Sequence, residues 1–454
     1  MTVGRRIAII TSDVLTATMA GPAIRAVNVA AVLAAEGHDV TLVSTSTCEI
    51  ERAEFRCRRF GWDELQAGVA EAEILIVQGF VTRDAPWLLR SEQILVIDLY
   101  DPMQFEQLEQ TAELPRLART AALDLTTRIF NDQLVRGDFF LCASEQQRHL
   151  WLGQLAAMGR INPANYDRDA TLESLLAICP FGLAEEPPAR TGPGIRGVAG
   201  IGEHDKVLLW AGGVYNWFDP LTLIRAVQQV SHQHADVRLF FLGMKHPNPG
   251  VPQMQMAWDA RELSDSLGLT DRHVFFNEGW VPYDERANFL LDADAGVSTH
   301  LMHVETSFSF RTRILDYLWA GLPIVSTGGD SFGELVATAE LGVRVEAGDV
   351  AGLADAISRV LYDPEFAATA AANAVAMRER FTWPVALAPL VRFCAEAKRA
   401  ADADGDLRRL ARQPVIPTSA LGRQLMRAST LRHEGGLGLV AGRTLARLRR
   451  VFGS

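Results

Sequence analysis

Two doubly wound, Rossmann-like α/β domains facing a central cleft, followed by a basic helical tail, are predicted by three observations. The chain is long, it carries two successive series of short apolar runs alternating with helix-length segments, and a stretch rich in proline, glycine and charge separates the series. At 454 residues it exceeds what one hydrophobic core organises. The first series comprises Ile7–Ile10, Val40–Val43, Ile74–Val77, Ile94–Ile97 and Phe139–Cys142. A Gly21-Pro22 turn opens the first helix, which ends at Gly37, the asymmetry expected of helix termini. The stretch EEPPARTGPG, from Glu185 to Gly194, reads as a linker. The second series comprises Val207–Trp210, Val237–Leu242, Val274–Phe276, Ala295–Ser298 and Ile324–Ser326. Short apolar runs of this kind are strands buried on both faces of a parallel sheet. The expected division is residues 1–185 as the first domain, 186–382 as the second, 383–404 as a crossover helix packing back toward the first, and 405–454 as a basic amphipathic tail.

Composition narrows the function. The apolar fraction is 48% and the charged fraction 22%, and no apolar run approaches the roughly 20 residues of a membrane span. The N-terminus lacks the pattern of a secretory signal, so a cytoplasmic protein is expected. Five scattered cysteines form no CxxC pair and have no histidine partners at ligand spacing, so no metal is expected. A net charge of −11 argues against nucleic-acid binding. The charge is uneven: from Leu407 to Ser454 there are ten arginines and one acid, which makes the tail about +9 and leaves the rest near −20. Leu445, Leu448 and Val451 fall at helical spacing among those arginines, so the tail can lie on the anionic inner face of a membrane. Packing on the acidic body, or disorder, is the competing reading.

Ligands of open α/β sheets bind beyond the carboxyl ends of the strands, which makes the shared cleft the default site. The segment HLMHVETSFSFRTRILDYLWAGLPIVSTGGD, residues 300–330, carries most information. Ser309–Ala320 reads as a helix with a Ser/Thr-rich entry that stops at Gly321. Its amino end, with Arg311 and Arg313 in the first turn, suggests a diphosphate site, against the alternative of solvated arginines paired with local acids. Gly212 and Gly213 can let backbone approach a ligand beside Tyr215, Trp217 and Phe218, or form a tight strand-to-helix turn with those aromatics covering the core. In the first half, Asp98, Tyr100 and Asp101 end a strand, with Gln78 at a similar level after another. Asp101 or Asp98 can orient an acceptor hydroxyl and take its proton, although a carboxylate before Pro102 can equally cap a helix. His300 and His303 lack a ligand set and suit polar contacts.

LDYLWAGLPIVST followed by GGDSFGELV resembles the donor-binding region of retaining glycosyltransferases of the GT-B fold, family GT4. AGPAIRAVNVAAVLAAEGHDVTLVS resembles that family's opening turn, helix and second strand, ICPFGL its crossing into the second domain, and NEGWVPYDERANFLLDADAGVSTH its base-recognition region. The resemblance runs from about Arg6 to about Ala395. It implies that the first domain is the acceptor side, with Gly21, Pro22, Arg25 and Gln78 in its loops, and that the second binds the donor. Of the family's two glutamates eight residues apart, the second falls on Asp316, implied to hold the ribose hydroxyls with its two oxygens. The first falls on Phe308, and Glu305, three residues earlier, becomes the candidate for the donor sugar. Trp280, Val281 and Phe310 are implied donor contacts, as is His300. Tyr100 occupies the place of a histidine near the reacting sugar.

A second departure concerns charge. The family's first strand of the second domain ends in glycine and arginine with a lysine five residues later, and the two cations hold the departing diphosphate. Gly213 and Phe218 stand at those positions. Arg311, Arg313 and Lys245, one of only three lysines, are the candidates to replace the pair. The implied activity is transfer of a sugar, with retention, from a nucleotide-diphosphate sugar to the hydroxyl of a saccharide or lipid-linked saccharide in cell-surface polysaccharide or glycolipid assembly, without a cofactor. A sugar-nucleotide epimerase on the same fold and a catalytically degenerate sugar-nucleotide-binding protein are the alternatives. A phosphorylase lacks a persuasive Schiff-base lysine, and a nicotinamide dehydrogenase lacks G-x-G-x-x-G after the first strand.

Overall fold

The computed structural model describes residues 4–249, 251 and 253–403. The basic tail expected over 405–454 lies outside these residues. Within them the chain forms two parallel sheets. The first has seven strands in the order β3-β2-β1-β4-β5-β6-β7: β1 (Arg6–Thr11), β2 (Asp39–Ser44), β3 (Arg56–Arg59), β4 (Ile74–Gln78), β5 (Ile94–Asp98), β6 (Phe139–Cys142) and β7 (Leu176–Ile178). The second has six in the order β10-β9-β8-β11-β12-β13: β8 (Lys206–Trp210), β9 (Val237–Phe241), β10 (Val274–Phe276), β11 (Ala295–Ser298), β12 (Ile324–Thr327) and β13 (Gly342–Val345). Every pairing is parallel, as uninterrupted apolar runs such as Ile74–Val77 require. All ten expected strands are present. Three further strands, β3, β7 and β13, join the sheets at their edges.

The helices that shape the cleft are α1 (Gly21–Ala35), α2 (Met103–Gln110), α3 (Arg116–Arg136), α4 (Glu145–Ala157), α5 (Pro220–Ser231), α6 (Val304–Phe308), α7 (Arg313–Ala320) and α8 (Trp383–Ala395). The small face of α1, with Ala23, Ala26 and Ala30 fully buried, lets it lie close to β1 and β2, and α8 packs across it. No helix among the described residues is long and apolar enough to cross a membrane.

Strand order reverses between β1 and β4 in one sheet and between β8 and β11 in the other, and the carboxyl ends there open the crevice. Tyr317 pins the second switch point. Its ring packs where a Cβ on Gly296 of β11 would sit, 2.3 Å from the ring. Its hydroxyl accepts from the Ala211 amide (3.0 Å) and lies 2.9 Å from the Leu209 carbonyl and 2.8 Å from that of Val297, tying β8 to β11.

The helix expected over Ser309–Ala320 is shorter than its sequence suggests. Ser309 is extended (φ −79°, ψ 156°), so α6 ends at Phe308 and α7 begins only at Arg313. Arg311 therefore lies in the connection and not in a first helical turn. At the other end the sequence reading holds, since Gly321 closes α7 in the left-handed conformation (φ 67°).

Candidate active site

A cavity of about 350 Å³ lies between the carboxyl ends of the two sheets. The first domain contributes Gly21 and Pro22 at the start of α1, Tyr100 and Asp101 after β5, and Glu106 on α2. The second contributes Gly212 and Gly213 after β8, His246 after β9, Trp280 and Val281 after β10, and Glu305, Phe310, Arg311, Arg313 and Asp316 from the 300–316 region. Most of the residues singled out from sequence, Tyr215, Trp217 and Phe218 included, are thus in one cavity wall. Arg25, Gln78, Asp98, Lys245, His300 and His303 do not line it.

The physical reasons differ. Arg25 is fully buried: Nε and Nη2 donate to the two oxygens of Asp98 (2.6 and 3.0 Å), and Nη1 and Nη2 also donate to the carbonyls of Pro180 and Cys179 (both 2.8 Å). It is a strut holding the crossing between domains, where the sequence suggested an acceptor contact. Gln78 donates to the same Asp98 (3.1 Å), so Asp98 is committed to the strut and is not free to take a proton from an acceptor. Lys245 is exposed, and its neighbour His246 turns into the cavity instead. His300 is wholly buried with its ring Nε2 3.1 Å from the Gly328 carbonyl, and burial, with Arg311 and other cations beside it, lowers its pKa to about 3. It is a neutral core residue.

The two arginines of the 300–316 region have different surroundings. Arg311 forks onto Glu305 (Nη1 to Oε1 2.9 Å, Nη2 to Oε2 2.8 Å), both side chains are buried, and Asp330 faces its Nε at 3.6 Å. Arg311 and Glu305 are thus one paired unit, which corrects the reading of them as separate phosphate and sugar ligands. Arg313 has no carboxylate within ion-pair distance among the described residues. Its Nη2 donates to the Gly213 carbonyl (2.8 Å), its guanidinium carbon lies 4.0 Å from the ring centroid of Trp210 and 4.1 Å from that of Phe218, and its buried Nη1 has no hydrogen-bond partner. Burial lowers its pKa to about 10, so it remains charged at neutral pH. The two positions at which the sequence departs from the expected cations, Gly213 and Phe218, both contact Arg313: Gly213 accepts its hydrogen bond, and Phe218, with Trp210, supports its face.

Asp316 differs from expectation in part. Its Oδ1 accepts from Arg286 Nε (3.1 Å), and Arg286 is stacked between Tyr283 and Trp319 at 3.7 and 4.4 Å. One oxygen is therefore shared, and Oδ2 remains for a ligand. Burial raises the Asp316 pKa, with Arg286 opposing.

On the first-domain wall the carboxyls of Asp101 and Glu106 have no cation within ion-pair distance among the described residues. Burial pushes Asp101 up to about 7, the Tyr100 hydroxyl holds it down and Asp98 adds to the rise. Burial also raises Glu106 well above the usual carboxylate range, reinforced by Asp101 and Glu305 and opposed by Arg311. Glu106 was missed in the sequence because it sits inside the helical pattern MQFEQLEQ, with nothing to separate it from a solvated helix residue.

The walls are fastened to each other at several points. Gln147 on α4 donates through Nε2 to the carbonyls of both Tyr100 (2.7 Å) and Phe308 (2.8 Å). Phe308, where the first glutamate was expected, stacks on Phe105 of α2 at 5.3 Å. Trp280 Nε1 donates to the Met19 carbonyl (3.0 Å), and Asn248 Nδ2 donates to Asp13 Oδ1 (2.7 Å). Among the described residues no group of three or more His, Cys, Asp or Glu side chains is placed to hold a metal ion.

Residues 205–363 match the family model described as glycosyl transferases group 1. Among curated proteins, none matches the chain in sequence. Solved structures match it along most of its length. Sucrose-phosphate synthase from Thermosynechococcus elongatus covers 87% of this chain and 100% of its own, with a TM-score of 0.61 at 18% identity. WaaG, a glycosyltransferase involved in lipopolysaccharide biosynthesis, covers 86% and 98% with a TM-score of 0.60 at 16% identity. Anabaena Alr3699/HepE, in complex with UDP and glucose, covers 87% and 100% with a TM-score of 0.63 at 14% identity. At these identities the likeness is one of fold, the two-domain GT-B architecture. The second-domain side of the cleft is thus similar, over residues 205–363, to the glycosyl transferases group 1 family, within a chain of GT-B fold.

Proposed function

We propose that the chain is a hexosyltransferase that moves a sugar, with retention at the anomeric carbon, from a nucleotide-diphosphate sugar to a hydroxyl of a saccharide or lipid-linked saccharide in cell-surface polysaccharide or glycolipid assembly. The observation that carries the reading is Arg313: a buried cation in the cavity wall, without a carboxylate partner and with Nη1 unpaired. A buried charge held this way is costly unless a ligand completes it, and the charge that develops on a departing diphosphate is such a ligand. The group 1 match over 205–363 and the UDP and glucose bound by HepE in the same fold support it. Trp280 and Val281 then face the base, the free oxygen of Asp316 a ribose hydroxyl, and Asp101 takes the acceptor proton with Tyr100 beside it. Arg313 supplies the charge, so no metal is required by this reading. The lipid-linked acceptor and contact with the inner face of an anionic membrane rest on the arginine-rich sequence after Leu407.

The test is nucleotide release from a panel of nucleotide-diphosphate sugars with and without saccharide acceptors, compared between the wild type and Arg313→Met. The expected outcome is acceptor-dependent release that falls on the order of 10²-fold in the variant, the usual cost of one preorganised donor to a developing anion, and that persists in the presence of a chelator. Equal turnover by a folded Arg313→Met sinks the reading. A degenerate sugar-nucleotide-binding protein is the second reading, favoured by the stacking of Phe308 on Phe105 at the place of an expected acid. Donor binding without release across the whole acceptor panel would select it.

A further inference from the structure

We infer that His246 is a hydrogen-bond donor to the diphosphate of the bound nucleotide, oriented by a turn that is fastened to the opposite domain. The inference rests on the cavity being a nucleotide-diphosphate site and adds a residue to it. Three observations lead there.

The first is the position of the ring. His246 lines the cavity between Trp280, at 5.6 Å between ring centroids, and Tyr215, at 6.3 Å. Tyr215 in turn packs over Gly213, whose Cβ would lie 3.0 Å from the Tyr215 ring, and Gly213 holds Arg313. A nucleotide with its base against Trp280 and its phosphate charge at Arg313 spans the stretch of wall where His246 stands.

The second is the tautomer. His246 Nδ1 accepts the amide proton of Asn248 (3.0 Å), so in the neutral ring the remaining proton is on Nε2. Burial lowers the pKa of His246, with Asp13 and the Asn248 bond opposing, and the neutral ring with one fixed donor is favoured. Nε2 has no protein partner among the described residues. A ring with a single free N–H edge in a cavity suits an acceptor oxygen, and phosphate oxygens are the strongest acceptors a nucleotide offers.

The third is the support. The Asn248 amide that fixes Nδ1 belongs to the residue whose Nδ2 donates to Asp13 Oδ1 of the first domain, 235 positions away in sequence. The orientation of the donor is therefore coupled to the meeting of the two walls.

The experiment measures equilibrium binding of UDP, GDP and ADP, and of the matching nucleosides, to the full chain and to His246→Ala, His246→Gln and Asp13→Ala. One lost hydrogen bond to a charged group corresponds to about a tenfold loss. The nucleoside diphosphate that binds the wild type should lose about that much affinity in His246→Ala while its nucleoside is unaffected. Gln places an amide N–H near the position of Nε2 and should recover most of the loss. Asp13→Ala should weaken the diphosphate by a smaller factor and leave the nucleoside unchanged. Equal losses for nucleoside and diphosphate, or no loss at all, overturn the inference and leave the reading of the cavity intact. Absence of binding by all three diphosphates to the folded wild type overturns both.

Discussion

The two walls of the cavity handle charge in opposite ways. On the second-domain wall, two of the three cavity arginines are matched to carboxylates, Arg311 to Glu305 and Arg286 to Asp316, and the cation left over is Arg313. On the first-domain wall the arginine is withdrawn into the core with Asp98, and the carboxyls left over are Asp101 and Glu106. The second-domain wall thus keeps an unpaired cation, and the first-domain wall keeps two carboxyls that burial holds toward their neutral form. Counting charged residues along the sequence does not reveal this, because the paired and unpaired members alternate within a few positions, as Glu305, Arg311 and Arg313 do. What sets Arg313 apart from Arg311 and Arg286 is the absence of a carboxylate partner among the described residues.

That contrast can be broken most severely at its paired members. Arg311→Ala leaves Glu305 buried and uncompensated, and should cost about 3–5 kcal/mol of unfolding free energy, whereas Arg313→Met should be far less destabilising. Urea denaturation of the two variants checks the order, and a reversed order would mean that the pairing has been misassigned. On the first-domain wall, Asp101 is poised to change charge near neutrality. As the proton acceptor, it makes kcat/KM rise as pH passes upward through about 7 and level off above, and Asp101→Asn should lower the plateau on the order of 10²-fold and remove that limb. The stability consequence has the opposite sign: a carboxyl whose folded pKa is raised binds protons more tightly in the native state, so stability falls as pH rises from about 4 to about 7. Asp101→Asn should flatten that fall, which thermal denaturation at several pH values measures. The smallest effect concerns Asp316, where one oxygen is shared with Arg286. Asp316→Asn should weaken a nucleotide about tenfold and the corresponding 2′,3′-dideoxynucleotide hardly at all, since only the former offers ribose hydroxyls.

Much of the fold was legible because buried parallel strands are written as apolar runs. β3 was not, since RCRR on an exposed edge has no apolar run, and β13, GVRV, is interrupted by an exposed arginine; β7, LAI, is an apolar run that the sequence reading leaves out. The position of the cavity was legible from the strand ends. Its wiring was not: the break at Ser309 contains neither proline nor glycine, yet it turns Arg311 back onto Glu305. Arg25 looked like a loop residue near a ligand because the sequence places it in the first turns of α1, and only the three-dimensional approach of Asp98, 73 positions later, shows it to be spent. Lys245 attracted attention through its rarity, while the imidazole beside it is the side chain that enters the cavity.

Gln147 has a consequence for how substrates enter and leave. An amide nitrogen carries two protons, and those of Gln147 are divided between the carbonyl of Tyr100 on one wall and that of Phe308 on the other. Separation of the walls by even an ångström or two strips one bond entirely, and the linear geometry of such bonds leaves no intermediate position of comparable energy. Widening of the cleft therefore costs at least one of these two bonds. The same side chain holds the backbone of Tyr100, so the position of Tyr100 and the contact between the walls depend on one residue.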